Sequence, residues 1–94
     1  MSVEEFSYVD GNALGGVLGE VFGFEVTAAL ASCRFCGTAS RVGQWQVFLD
    51  APGSVARCPA CGNIQLRVVR TRSRLWLDVS GVGSLEVYLP EEAG

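Results

Sequence analysis

Two short cysteine units decide most of what this chain can fold into: Cys33-Arg-Phe-Cys36-Gly37 and Cys58-Pro-Ala-Cys61-Gly62. In a Cys-x-x-Cys turn the backbone N–H groups point back at the thiolates. The glycine that follows can take the positive φ that brings one more N–H toward sulfur. Pro59 pre-sets the second of these turns. Two such turns face to face offer four sulfurs at tetrahedral geometry, and soft thiolates with tetrahedral demand select zinc first, with iron as the rival. The 21 residues between Cys36 and Cys58 leave room for one β-excursion. The chain contains no His, so the site is most simply all-thiolate: Cys33, Cys36, Cys58 and Cys61. Two disulfides or a thiol redox pair are the other uses of four cysteines. The acidic start, Met1-Ser-Val-Glu-Glu-Phe, has neither the basic nor the apolar region of a secretory leader. A cytoplasmic, reducing setting is therefore the expectation, and there paired cysteines are more often metal ligands than disulfides.

A chain of 94 residues fits one domain, and with 49% apolar and 18% charged residues it is no disordered segment. Domains near this size often need a metal or a disulfide to supplement a small core. A closed tetrathiolate site has no open position for a water nucleophile, so its work is structural. With no His, no phosphate-cradling glycine loop and no Ser/His/Asp set, the chain reads as a non-enzyme.

Periodicity sets the elements. Leu14, Val17, Leu18, Val21 and Phe22 predict a helix over Asn12 to Phe22, capped by Asp10 or Asn12 and stopped at Gly23. Gly15, Gly16 and Gly19 weaken it by about 1 kcal/mol each, a cost expected to be offset by close approach to a neighbour. Phe24 to Ser32 reads as a strand leading into Cys33. Gln44 to Leu49 alternates, with Trp45, Val47 and Leu49 on one face and Gln44, Gln46 and Phe48 on the other. After the turn Asp50-Ala-Pro-Gly53 come Val55 to Arg57, then Ile64, Leu66 and Val68 alternating with Gln65, Arg67 and Val69. The tip Arg70-Thr-Arg-Ser-Arg74 leads to Leu75 to Val79, and the turn Gly81-Val-Gly83 to Leu85 to Leu89. The pattern predicts an α+β domain: one N-terminal helix and a small antiparallel β-sheet of four to six strands.

Knuckles of this form flanked by short strands resemble the zinc-ribbon superfamily, over about Ala29 to Val79. The resemblance implies a zinc ribbon, an antiparallel sheet with two knuckles at one end and one structural Zn2+ per chain. The chain then divides into a helical segment (1–28), a ribbon core (29–79) and a C-terminal strand and tail (80–94). With Asp10-Gly-Asn-Ala13, Val26-Thr27 and Ala51-Pro-Gly53 added, the wider pattern is similar to a family of small bacterial zinc-ribbon proteins of unknown function. That match implies fold and metal rather than a role. CxxCG and CPxCG units also occur in rubredoxins, iron electron carriers, whose segment between the knuckles is longer, acidic and aromatic-rich; no aromatic directly follows Gly37 here.

The net charge of −3 conceals a segregation. Residues 1–32 hold five acids and no base, residues 33–74 all seven Arg against Asp50 alone, and residues 75–94 four acids. Arg67, Arg70, Arg72, Arg74 and Trp76 are the candidate contact residues for a nucleic acid or other partner. The plain alternative is a solvated hairpin tip balanced by the acidic segments. Trp45, sharing a face with Val47 and Leu49, is expected in the core, and Trp76 is the better candidate for an exposed or partner-facing site. The helix, with Gly15 and Gly19 four apart, suits packing on its own sheet, a homodimer or a protein partner. Ala13 to Cys33, the most apolar stretch, carries Glu20 and Glu25 and several Gly, which argues against a membrane span. The reading is a zinc-binding protein-interaction or oligomerisation module, with an unknown protein partner or a homodimer. The alternatives are a nucleic-acid-binding ribbon and an iron electron carrier.

Overall fold

The computed structural model describes residues 8–22, 25–50 and 53–89. The expected stop at Gly23, the strand start at Phe24, Ala51-Pro52 of the turn, and both chain ends lie outside the described residues. The predicted N-terminal helix is present in two pieces. The Asp10 carboxylate accepts the Asn12 N–H at 3.1 Å and opens a 3₁₀ turn over Gly11–Leu14, followed by helix α1, Gly15–Phe22. Leu14 and Leu18 turn into the core. Close approach at the helix glycines is not found. A Cβ on Gly16 or Gly19 would meet nothing within 4 Å, and on Gly15 only Thr27 Cγ2 at 3.8 Å. The intimate contact is one turn earlier, where a Cβ on Gly11 would stand 1.7 Å from the Val42 carbonyl oxygen. The chain crosses itself there, and only glycine permits it.

Among the described residues there are eight strands where four to six were expected: β1 Val9–Asp10, β2 Leu30–Cys33, β3 Ala39–Arg41, β4 Gln46–Asp50, β5 Gly53–Arg57, β6 Ile64–Arg70, β7 Leu75–Asp78 and β8 Val82–Glu86. They form two antiparallel sheets, β1-β4-β5-β6-β7 and β3-β2-β8, where one sheet was expected. The strand predicted from Phe24 begins only at Leu30, because Val26–Ala28 make a 3₁₀ turn. The last strand starts at Val82, inside the stretch read as a turn, and pairs with β2 through Ala31↔Leu85, Ser32↔Ser84 and Cys33↔Val82. The chain leaves the first sheet at Asp78, whose carboxylate accepts the Ser80 N–H at 2.9 Å, and the Val82 N–H closes onto the Val79 carbonyl at 3.0 Å. Gly81 then lies directly on β6, where a Cβ would stand 1.9 Å from the Ile64 carbonyl oxygen. This crossing carries β8 to the open edge of β2, satisfying backbone groups that would otherwise lack strand partners.

The fold is α+β, with its core between the two sheets. Val47, Ala56, Leu66 and Val68 on the inner face of the five-stranded sheet pack with Leu14, Leu18, Val26, Ala31, Val42 and Trp45. Trp45 is buried as expected, though it caps the 3₁₀ turn Val42–Gln44 rather than lying in β4. Leu49, expected beside it in the core, is 62% exposed because β4 runs past the core's edge. No helix among the described residues is long and apolar enough to cross a membrane.

Candidate metal centre

Each cysteine unit bends the chain between two strands in the same way. In the first, between β2 and β3, the Gly37 N–H donates to the Cys33 carbonyl and the Cys33 N–H to the Thr38 carbonyl, both at 2.9 Å. In the second, between β5 and β6, Gly62 donates to Cys58 and Cys58 to Asn63, again at 2.9 Å. Gly37 and Gly62 have φ of +78° and +82°, with open space where a Cβ would be. Backbone handedness alone therefore demands glycine there. Each turn directs N–H groups at its leading sulfur: Phe35 and Cys36 onto Cys33 Sγ at 3.4 and 3.5 Å, and Ala60 onto Cys58 Sγ at 3.3 Å.

The four Sγ atoms lie within 4.8 Å of one another, with Cys33–Cys61 at 3.6 Å and Cys36–Cys58 at 3.8 Å. A metal bound tetrahedrally by thiolates at about 2.3 Å requires sulfurs about 3.8 Å apart, so the donor set fits a tetrathiolate metal. All four cysteines are free, Cys33 and Cys58 buried, Cys36 and Cys61 exposed. The site joins the sheets, because Cys33 and Cys36 belong to a hairpin of one and Cys58 and Cys61 to a hairpin of the other.

A residue that alternation misplaces completes the surroundings. The register of β5 against β6 shifts between Ala56↔Leu66 and Arg57↔Ile64, leaving Gln65 between them without a strand partner. The shift turns Gln65 inward, and its Nε2 donates to Cys33 Sγ at 3.2 Å while its backbone carbonyl accepts the Gly81 N–H at 3.2 Å. A polar residue in strict alternation reads as solvent-facing, so nothing local in the sequence points to it. On the exposed side Asn63 Nδ2 donates to Cys61 Sγ at 3.3 Å. Burial pushes the Cys33 thiol up, yet the N–H groups of Cys36 and Phe35, the Gln65 amide and Cys61 outweigh it and bring the pKa down to about 6. For Cys58 burial dominates, the N–H groups of Cys61 and Ala60 offset only part of it, and the thiol rises to about 11. Thr38, through its side chain and backbone, lowers Cys36.

The five candidate contact residues are not brought together. Arg67 and Trp76 share the outer face of the five-stranded sheet, where Arg67 bonds Asp78 at 3.1 Å and its guanidinium carbon stands 5.9 Å from the Trp76 ring centre. Arg70 lies on the opposite face, held by Glu20 of α1 through two bonds of 2.8 and 3.1 Å. This pairing lowers the Glu20 carboxyl and raises Arg70. Arg72 and Arg74 are exposed in the 71–74 tip. Elsewhere Arg34, Arg41 and Arg57 each donate to a backbone carbonyl, on Ser80, Ala28 and Gly62. Most of the basic segment thus serves to fasten the fold.

A protein-family model described as a family of unknown function (DUF6510) matches residues 4–90, a span holding the helix, both knuckles and all eight strands. The chain belongs to the DUF6510 family. No curated protein and no solved structure matches this DUF6510 chain.

Proposed function

We propose that Cys33, Cys36, Cys58 and Cys61 hold one structural Zn2+ in a zinc-ribbon-type site, and that the protein is a non-catalytic binding module whose shape depends on that metal. The observation that carries this reading is the convergence of four free thiols, from hairpins of two different sheets, within 4.8 Å of one another. Sites of this kind contribute apparent stabilisation on the order of 10–16 kcal/mol, comparable to or above the whole stability of an ordinary domain. Four thiolates around a divalent ion leave a net charge of about −2, which the N–H donors spread over both knuckles help to balance. The setting is a reducing cytoplasm, where the thiols stay available to metal. Two classes of partner suit such a module, a protein (a second copy included) and a nucleic acid, and the aromatic and arginine side chains outside the five-stranded sheet favour the second.

Metal analysis of the purified chain is expected to find one equivalent of zinc in a colourless protein. One equivalent of iron with the strong colour of a ferric tetrathiolate would convert the reading to an electron carrier. Chelation is expected to abolish the β-sheet circular dichroism and the cooperative melt. An unchanged melt after verified metal removal would end the structural-metal reading.

A further inference from the structure

Among the described residues the helix and the second sheet cover the inner face of the five-stranded sheet and leave its outer face open. Its outer face is read directly from the register: Phe48, Val55, Arg67 and Asp78 form one row across β4, β5, β6 and β7, flanked by Gln46 and Arg57 on one side and by Val69 and Trp76 on the other. Tyr8, Phe48 and Trp76 share it with two guanidinium groups that stand between the Phe48 and Trp76 rings. Tyr8 and Phe48 meet with ring centres 5.6 Å apart, the Arg57 guanidinium carbon stands 5.9 Å from the Phe48 ring centre, and Arg67 stands at the same distance from Trp76. Tyr8 and Trp76 are each 53% exposed. At the metal end the face continues into a cleft of about 310 Å³ lined by Phe35, Arg57, Asn63, Ile64, Arg67 and Ser80, with Phe35 59% exposed on the first knuckle. Beyond Arg67 a second, more apolar cleft of about 270 Å³ runs along Val55 and Val69 to Trp76.

We propose that this outer face is a single-stranded nucleic-acid surface, on which bases stack against Trp76 and the Tyr8–Phe48 pair and phosphates lie along Arg57 and Arg67. The inference rests on the reading of the protein as a binding module and supplies its partner. A protein-docking face centres on a desolvated apolar patch with few charges, whereas here guanidinium groups sit between the rings. Flat rings interspersed with cations match a ligand that alternates planar bases with anions, and guanidinium planes themselves accept a stacked base. Arg57 commits one N–H to the Gly62 carbonyl and Arg67 one to Asp78, out of the five N–H donors each carries. The chain as a whole is acidic, and on this face the register sets Arg57 and Arg67 against Asp78 in the central row and Asp10 opposite Gln46 at the β1 edge. The cations therefore act by their place between the rings and not through a net positive field. Arg34 stands at the metal end, bonded to Ser80 of the first cleft, and Arg72 and Arg74 stand in the tip beyond Trp76. A duplex cannot present its bases to such a platform, so the surface selects for unpaired strands.

Fluorescence anisotropy of the metal-loaded full chain against a labelled 12-nucleotide oligothymidylate tests this. Binding is expected at about 25 mM salt and is expected to weaken on the order of 20-fold by 200 mM if two phosphates are neutralised. Trp76→Ala, at an exposed position, is expected to weaken binding about tenfold or more, while Arg72→Gln with Arg74→Gln, off the face, costs less. Phe48→Ala is expected to act like Trp76→Ala. Metal content and melting of each sample keep folding separate from binding. A chain with its full metal complement and normal melt that binds no single strand at low salt overturns the proposal and leaves the metal reading standing. Equal affinity for a duplex of the same length, or full affinity in Trp76→Ala, also overturns it. So does a stable dimer that Trp76→Ala splits into monomers, since the face would then belong to a second copy.

Discussion

The two knuckles are the same local structure in different surroundings. Both close with the same pair of 2.9 Å backbone bonds, both place glycine near φ +80°, and both bury the first sulfur and expose the second. Yet the buried thiol of the first stands at about pKa 6 and that of the second at about 11. Each of the two sulfurs loses water, so burial alone does not separate them. Each has two N–H groups of its own turn; Cys33 gains in addition the Gln65 amide from the neighbouring sheet and is lowered by the Cys61 thiol, whereas the Cys36 and Cys61 thiols raise Cys58. A five-residue motif therefore sets the geometry of a ligand, while tertiary packing sets how readily that ligand carries charge.

The largest test of this comparison treats the knuckles as equals. Cys33→Ser and Cys58→Ser are each expected to abolish stoichiometric metal binding and the cooperative melt, because the site bridges the sheets and neither half substitutes for the other. Metal retention by one variant alone would show that one knuckle dominates. Gln65→Leu then probes their difference. Removing this donor is expected to weaken metal affinity about 10- to 100-fold in a competition titration, whereas Asn63→Ala, which removes an exposed donor to Cys61, is expected to cost much less. Equal losses from the two substitutions would dissolve the asymmetry. Gly37→Ala and Gly62→Ala isolate what the turns share. With no atom in the way of a Cβ at either position, each is expected to lower stability by about 1–2 kcal/mol through backbone handedness alone, and by similar amounts in both.

The smallest effect lies away from both knuckles. The Glu20 carboxyl is lowered by its bonds to Arg70, so its stabilising contribution is present above the unfolded-state pKa and is lost as pH falls through the lower folded-state value. Glu20→Gln is expected to flatten slightly the acid side of the stability curve and to leave metal affinity unchanged. A change in metal affinity in that variant would mean that the Arg70 contact reaches the site.

What was legible in the sequence was local. The CxxCG turns close within five residues, from the Cys33 carbonyl to the Gly37 N–H, so spacing alone carried the two knuckles whose four sulfurs come together. The β6–β7 hairpin was likewise carried by alternation on either side of a short tip. The pairing of β8 with β2 was not legible, because alternation marks which face a strand buries and says nothing about which strand lies beside it. Gln65 escaped because one slipped residue in β6 reverses its face. Arg70 escaped for the opposite reason: strict alternation puts it on the inner face, opposite Arg67, but a polar residue at a sheet's end gives no sign that a helix carboxylate waits there. Two sheets in place of one follow from the same non-local step at Gly81.

The strand order also sets a timetable for a chain made from its N-terminus. Cys33 and Cys36 emerge first, but the second pair of sulfurs arrives only with residue 61, and β2 gains its second neighbour only when synthesis reaches Val82–Glu86. Until residue 61 the nascent protein carries a two-thiol half-site, and until residue 86 an unzipped edge, so β2 is made early and completed late.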